Sequence, residues 1–213
     1  MPTKLFFELN DEKRNKIIEI CIVEFSQYGY TNSSTNRITK NASISKGSLF
    51  KYFKNKEELY FYILDMVTME LIADLKADLE TLSLDLFERT IQYSELEFIW
   101  YIKHPEKFKL ITTAFSQTDD KLRQKIENRY NLQGQDIFYE ILADMDTTTL
   151  KWDKQKTADI LKWFLLGFKE EFISHIKPED FSDIEQIQYE YVKSLTNYMT
   201  ILKSGLVIEE SED

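Results

Sequence analysis

The chain has 213 residues, enough to bury a substantial core as one or two domains. Only five glycines and three prolines occur, and runs of alternating β-branched residues are absent, so an all-α fold is expected. A formal net charge of −10, a single cysteine and no apolar run approaching ~20 residues exclude an intramolecular disulfide and a membrane-spanning helix.

The N-terminus reads Leu5-Phe6-Phe7, then Glu8 and a charged run, too short for a signal peptide, so the protein is expected to be cytoplasmic. A first helix is predicted from Asn10 or Asp11 to Tyr28, with Ile17, Ile18, Cys21, Ile22 and Phe25 as its buried stripe and Gly29 as its C-terminal stop. Cys21 on that stripe reads as a buried structural thiol.

Residues Ser33 to Glu58 hold the motif around which the chain is organised. Ser33 reads as an N-cap, Ile38 as the apolar anchor of a short helix, and Ala42-Ser43-Ile44 as a tight turn. Ser45 then caps a second short helix, whose Leu49 and Phe53 lie four apart and can pack on Ile38 and Ile44. Asn55, with Glu58 three residues on, announces a third helix through a capping box. Two short helices joined in this way make a helix-turn-helix, whose second helix enters the DNA major groove.

Charge supports the same reading. From Asn32 to Lys56 there are six basic residues, Arg37, Lys40, Lys46, Lys51, Lys54 and Lys56, and no acidic one. Residues 1–56 carry ten basic and five acidic residues, so this end alone is attracted to a polyanion while the rest is repelled. The bland alternative, a helical hairpin with solvated lysines, does not require the cap, turn and charge signals to coincide.

Gly29-Tyr30 followed by Ser33-Ser34, then ITKNASISKGSLFKYFKNKEEL from Ile38 to Leu59, resembles the N-terminal domain of TetR/AcrR-family transcriptional regulators. The family pattern there is a threonine pair followed by IAxxAGVSxGTLYxYFxxKEEL. The resemblance implies an all-helical homodimer with a three-helix DNA-binding domain and a larger C-terminal domain that binds a small effector. It implies DNA contacts from Ser33, Ser34, Lys46, Ser48, Lys51, Tyr52 and Lys56. By chemistry, Lys46 and Ser48 suit base edges, while Ser33, Ser34, Tyr52, Lys51 and Lys56 suit phosphates. Gly47 lets the backbone approach DNA or a neighbouring helix. The chain departs from the pattern at three places. Thr39 stands for alanine, Ser43 for the turn glycine at a cost of order 1 kcal/mol if φ is positive, and Phe50 for a tyrosine whose hydroxyl could bond a phosphate.

Further helices are predicted from Lys56 to about Leu82, Leu84 to Lys103, Pro105 to Phe115 and Asp120 to Asp144, with Gly134 inside the last. His104 reads as a cap or surface residue. Asp146 to Thr149 reads as a loop. The segment Lys154–Ile176 is apolar nearly all round and must be buried on several sides. A final helix from about Ser182 to Lys203 precedes the acidic tail EESED. The division expected is a helix-turn-helix DNA-binding domain over 1–55 and an effector-binding and dimerisation domain over 56–213.

The last two helices carry surplus apolar surface, which predicts a two-fold four-helix interface involving Trp163, Leu165, Leu166, Tyr191, Leu195, Tyr198 and Leu202. Such a dimer would set two recognition helices roughly 34–36 Å apart, on successive major grooves. The aromatic-rich C-terminal part suggests a pocket for an apolar or aromatic effector, with Phe87, Ile91, Ser94, Phe98, Tyr101, Ile126, Tyr130 and Phe168 as lining candidates. The function expected is a homodimeric repressor on an inverted-repeat operator, released by that effector. The alternative is a helical adaptor that holds a protein partner. Two histidines, one thiol and no glycine-rich phosphate loop leave little for catalysis, and HxxxH and CxxC spacings are absent, so no catalytic residue, metal or cofactor is expected.

Overall fold

A computed structural model describes residues 1–115, 119–131, 138, 148–177 and 183–207. Its helices are α1 (Lys4–Phe7), α2 (Asp11–Asn32), α3 (Thr35–Asn41), α4 (Lys46–Tyr52), α5 (Lys56–Asp78), α6 (Leu86–Lys103), α7 (Pro105–Phe115), α8 (Asp120–Asn131), α9 (Lys154–His175) and α10 (Ile184–Leu206). The chain is all-α. Among the described residues the only β pairing is an isolated bridge between Leu150 and Val207.

Most boundaries follow local chemistry. Asn10 caps α2 by accepting from the Lys13 N–H at 3.0 Å, Asp119 caps α8 through Leu122 at 2.8 Å, and Asp183 caps α10 through Gln186 at 3.0 Å. Pro105 opens α7 at the position where its missing N–H costs nothing. Gly29 breaks α2 at φ 62° and ψ −174°, a region essentially restricted to glycine, and a short helical piece continues to Asn32. The expected extension from Asn131 to Asp144, with Gly134, lies outside the described residues except at Phe138, as do the start of the 146–149 loop and the acidic tail.

By packing, the chain divides into two compact units, Met1–Ala73 with His104–Gln133 and Asp74–Lys103 with Gly134–Asp213. In the first, α7 lies along α2 and against α8, while α3 and α1 pack on α4. Its core joins Ile17, Cys21 and Phe25 of α2 to Ile38, Leu49, Phe53, Leu59, Tyr60 and Ile63. Burial raises the Cys21 thiol above its ordinary range, so at neutral pH it is an inert core group. The α8 helix is tied to α5 by polar contacts, Lys125 to Glu57 at 2.6 Å and Arg129 and Tyr130 to Asp65 at 2.6 and 2.8 Å.

Sequence reasoning passed over α1. Phe6 is fully buried, 4.8 Å from the Phe53 ring. Thr3 donates its N–H to the Tyr52 carbonyl at 2.9 Å and its hydroxyl to the Lys51 carbonyl at 2.8 Å. The segment therefore satisfies two carbonyls that α4 leaves unpaired at its end.

In the second unit α6, α9 and α10 pack together. Phe98 stacks flat on Tyr191, with centroids 3.9 Å apart and planes at 2°, and the Ser94 and Tyr191 hydroxyls bond at 2.6 Å. Buried Lys169 pairs with Glu97, which also accepts from the Tyr93 hydroxyl at 3.0 Å.

Candidate nucleic-acid interface

Two short helices and the start of a third build the site. Ser34, not Ser33, caps α3, its hydroxyl oxygen accepting from the Arg37 N–H at 3.4 Å. Ser33 terminates the preceding helical piece instead. It is buried and donates its hydroxyl to the Tyr30 carbonyl at 2.8 Å. The shift by one residue follows from that bond, which commits the Ser33 side chain backwards along the chain.

The turn holds Ser43 at φ 55°, the left-handed conformation expected where the family pattern has glycine. Ser45 caps α4 by accepting from the Ser48 N–H at 3.0 Å, and the two hydroxyls bond each other at 2.8 Å. Leu49 and Phe53 face inward onto the core. Asn55 accepts from the Glu58 N–H at 2.8 Å, while the Glu58 carboxylate reaches back to the Lys54 N–H at 2.8 Å, closing the cap of α5.

Two of the six basic residues are spent inside the motif. Glu24, buried on α2, accepts from Nε of Arg37 at 3.0 Å, from its Nη2 at 2.6 Å and from the Ser34 N–H at 2.6 Å. The guanidinium also lies 4.1 Å from the Tyr28 ring centre, and its bond to Glu24 raises its pKa further. Lys56 donates to the carbonyls of Ser33 at 2.7 Å and Thr31 at 3.2 Å, above the Tyr30 ring. Burial lowers its pKa, with Glu24 acting against and Arg37 adding to the shift. Lys56 was expected as a phosphate ligand. Its ammonium instead braces the end of α2, with one donor left over. Glu24 was missed because a lone carboxylate beside an apolar stripe looks like surface charge.

The other four cations, Lys40, Lys46, Lys51 and Lys54, are exposed and have no ion-pair partner among the described residues. Lys46 and Lys51 lie on α4, Lys40 in the last turn of α3 and Lys54 just beyond the end of α4. Gly47 is exposed there too, and a Cβ built on it would meet nothing nearer than Ser45 Oγ at 3.8 Å. No helix among the described residues therefore requires glycine at this position. Tyr52 is half-buried against Phe6.

The other predicted sites fare differently. Of the pocket candidates, Phe87, Ser94 and Phe98 are packed core, while Ile91, Tyr101 and Phe168 are half-buried in the same unit. Ile126 and Tyr130 belong to the first unit, where Ile126 is buried and Tyr130 bonds Asp65. Between α9 and α10 lies an open cleft of about 670 Å³ lined by Phe164, Phe168, Phe172, Ile176, Ile187 and Tyr198 beside Glu171, His175, Asp183 and Glu190. Only Phe168 of the eight lining candidates borders it.

Of the interface candidates, Trp163 is 66% exposed, Leu166 56% and Tyr198 51%, and Leu202 is half-buried. Leu165, Tyr191 and Leu195 are 3%, 0% and 0% exposed, so they fill their own unit and offer nothing to a partner. An apolar stripe that runs nearly all round a helix does not reveal which side faces home. Ile201, 67% exposed, and the glycines Gly167, inside α9, and Gly205, in the last turn of α10, whose Cβ positions meet nothing within 4 Å, were not predicted.

The motif thus defines a helix-turn-helix protein with a lysine-bearing outer helix. Residues 17–63 match the family model of bacterial regulatory proteins, tetR family. The uncharacterized HTH-type transcriptional regulator YhgD of Bacillus subtilis (strain 168) is 32% identical over 151 residues, 71% of this chain and 70% of that protein. Among solved structures, a TetR family transcriptional regulator from Chloroflexus aurantiacus J-10-fl superposes with a TM-score of 0.74 at 23% identity, over 98% of this chain and all of the other. The Bacillus subtilis regulator FadR, in complex with stearoyl-CoA, gives a TM-score of 0.62 at 16% identity over 85% of this chain and 96% of that one.

The chain belongs to the TetR family and is a DNA-binding transcriptional regulator. These relatives and neighbours are regulators, not enzymes. No helix among the described residues is long and apolar enough to cross a membrane.

Proposed function

We propose that this regulator is a cytoplasmic repressor that binds an inverted-repeat operator as a homodimer and is released by a small apolar or aromatic effector. Residues 1–55 form the DNA-binding part in this reading, and 56–213 the effector-binding and dimerisation part. The observation that carries it is the split among the cations. Arg37 and Lys56 are used to build the motif, while Lys40, Lys46, Lys51 and Lys54 are left around α4 without partners among the described residues. Unpaired lysines around a surface-exposed short helix gain most from phosphates, whose release of counterions drives binding. Lys46, Gly47, Ser48 and Lys51 are the proposed α4 contacts, with Ser34 and Tyr52 at the edges.

The second copy is proposed to cover the outer faces of α9 and α10. Trp163, Leu166, Tyr198 and Ile201 are large apolar side chains left in solvent, and Gly167 and Gly205 lie beside them at helical spacing. Glycine inside a helix costs ~1 kcal/mol, and no described residue lies within 4 Å of where a Cβ of Gly167 would sit, which fits close approach by another helix. An effector is proposed to enter beside Ile91, Tyr101 and Phe168, where packing is incomplete; the stearoyl-CoA bound by FadR supports an apolar ligand. Such a ligand releases DNA only by binding better to a geometry in which the recognition helices are wrongly spaced.

Selection of bound duplexes from a random DNA pool tests this function. An inverted repeat, bound by a protein that sediments as a dimer at micromolar concentration, is the expected result. Recovery of no DNA, or binding that ignores salt, would favour an adaptor role.

A further inference from the structure

Phe50 is a large apolar side chain on the outer surface of α4, 39% exposed, and no ring contact covers it among the described residues. It follows Lys46 by four residues and Gly47 by three, so the three line one side of the helix, next to the strip that holds the buried Leu49. Lys51 and Lys54 flank that face with ammonium groups that have no ion-pair partner among the described residues. Gly47 adds no side chain to that side of the helix, so little besides the phenyl ring stands between an approaching surface and the backbone there.

A partner for this face must therefore supply negative charge around its edge and an apolar group at its centre. In the major groove of DNA one base offers that combination. Thymine carries a C5-methyl group beside an acceptor oxygen, between two rows of phosphates, whereas cytosine, guanine and adenine present only polar edges there.

We propose that Phe50 is a specificity-determining residue that packs on a thymine methyl group in each operator half-site. The inference rests on the DNA-binding reading above and adds a base preference to it. The phenyl ring has no hydroxyl to give to a phosphate, so its contribution is contact area with that methyl. The deoxyribose rim, which every nucleotide shares, is the competing surface and would give no base preference.

The test starts from the duplex recovered by random-pool selection. Each thymine of the half-site is replaced in turn by deoxyuridine, which removes the methyl group and nothing else. Burial of one methyl-sized group predicts that a single position weakens wild-type binding by about fourfold per half-site. Phe50→Ala should bind the thymine and deoxyuridine duplexes equally, and Phe50→Leu should keep part of the difference. With Phe50 39% exposed, Phe50→Leu should melt with the wild type and Phe50→Ala slightly below it; the thymine-to-deoxyuridine ratio is taken within each variant, which separates recognition from folding. A flat deoxyuridine scan, or the same penalty in Phe50→Ala, would overturn the methyl contact while leaving DNA binding intact. Failure to select any duplex would overturn the DNA-binding reading, and the contact with it.

Discussion

The helix-turn-helix and the α9/α10 pair both leave surface groups unsatisfied, by opposite chemical means. Around α4 the groups without a partner among the described residues are four ammonium ions, while Glu24 is held by Arg37 and Lys56 by the Thr31 and Ser33 carbonyls. On α9 and α10 they are a tryptophan, a leucine, a tyrosine and an isoleucine next to glycines whose Cβ positions no described residue approaches within 4 Å. Free cations over a rigid base suit a polyanion, which must be met at a fixed register. Apolar side chains over bare backbone suit another protein surface, which must be met at close range.

The sharpest way to break that comparison is to put charge on adjacent residues of α9. Leu165→Asp, or Leu195→Asp on α10, buries a carboxylate with no partner and should cost more than ~4 kcal/mol, seen as loss of cooperative melting. Leu166→Asp should melt almost as the wild type but sediment as a monomer. If Leu166→Asp unfolds the protein and Leu165→Asp only dissociates it, the two faces have been exchanged.

Glu24→Ala sharpens the head side of the contrast. It strands the Arg37 guanidinium and the Ser34 N–H, and since Arg37 is partly exposed the expected cost is about 2 kcal/mol, read from denaturant unfolding. DNA affinity should fall with it, because the first turn of α3 loses its anchor. Unchanged stability would mean that the buried carboxylate is ornamental.

Lys46→Ala should weaken DNA binding by about tenfold and alter base preference, with stability unaffected. Lys56→Ala should do the reverse, lowering the melting temperature through two lost carbonyl bonds and weakening all sequences alike. Identical profiles for the two lysines would erase the division between free and spent cations. The smallest effect expected is a gain. Ser43→Gly relieves the left-handed strain and should stabilise by about 0.5–1 kcal/mol in thermal unfolding, leaving operator affinity as it was.

Features that depend on local chemistry were legible in the sequence. Ser45 and Asn55 cap where side-chain oxygen and apolar spacing place them, and Ser43 adopts the conformation its position demands. What escaped depends on contacts far apart in the chain. Nothing in Leu5-Phe6-Phe7 announces that it plugs α4, and Ser33, expected as the cap, gives way to Ser34 because the Tyr30 carbonyl takes its hydroxyl. Leu165 and Leu166 are likewise indistinguishable by composition. Gly167 beside them was the available signal, a costly residue in a helix interior with no internal use.

The account depends most on the four unpaired lysines, and salt tests them directly. The logarithm of operator affinity against the logarithm of salt concentration should fall steeply for the wild type, and Lys51→Ala, which removes one phosphate contact from each subunit of the dimer, should lose about two units of that slope. A shallow slope that Lys51→Ala leaves unchanged would contradict it.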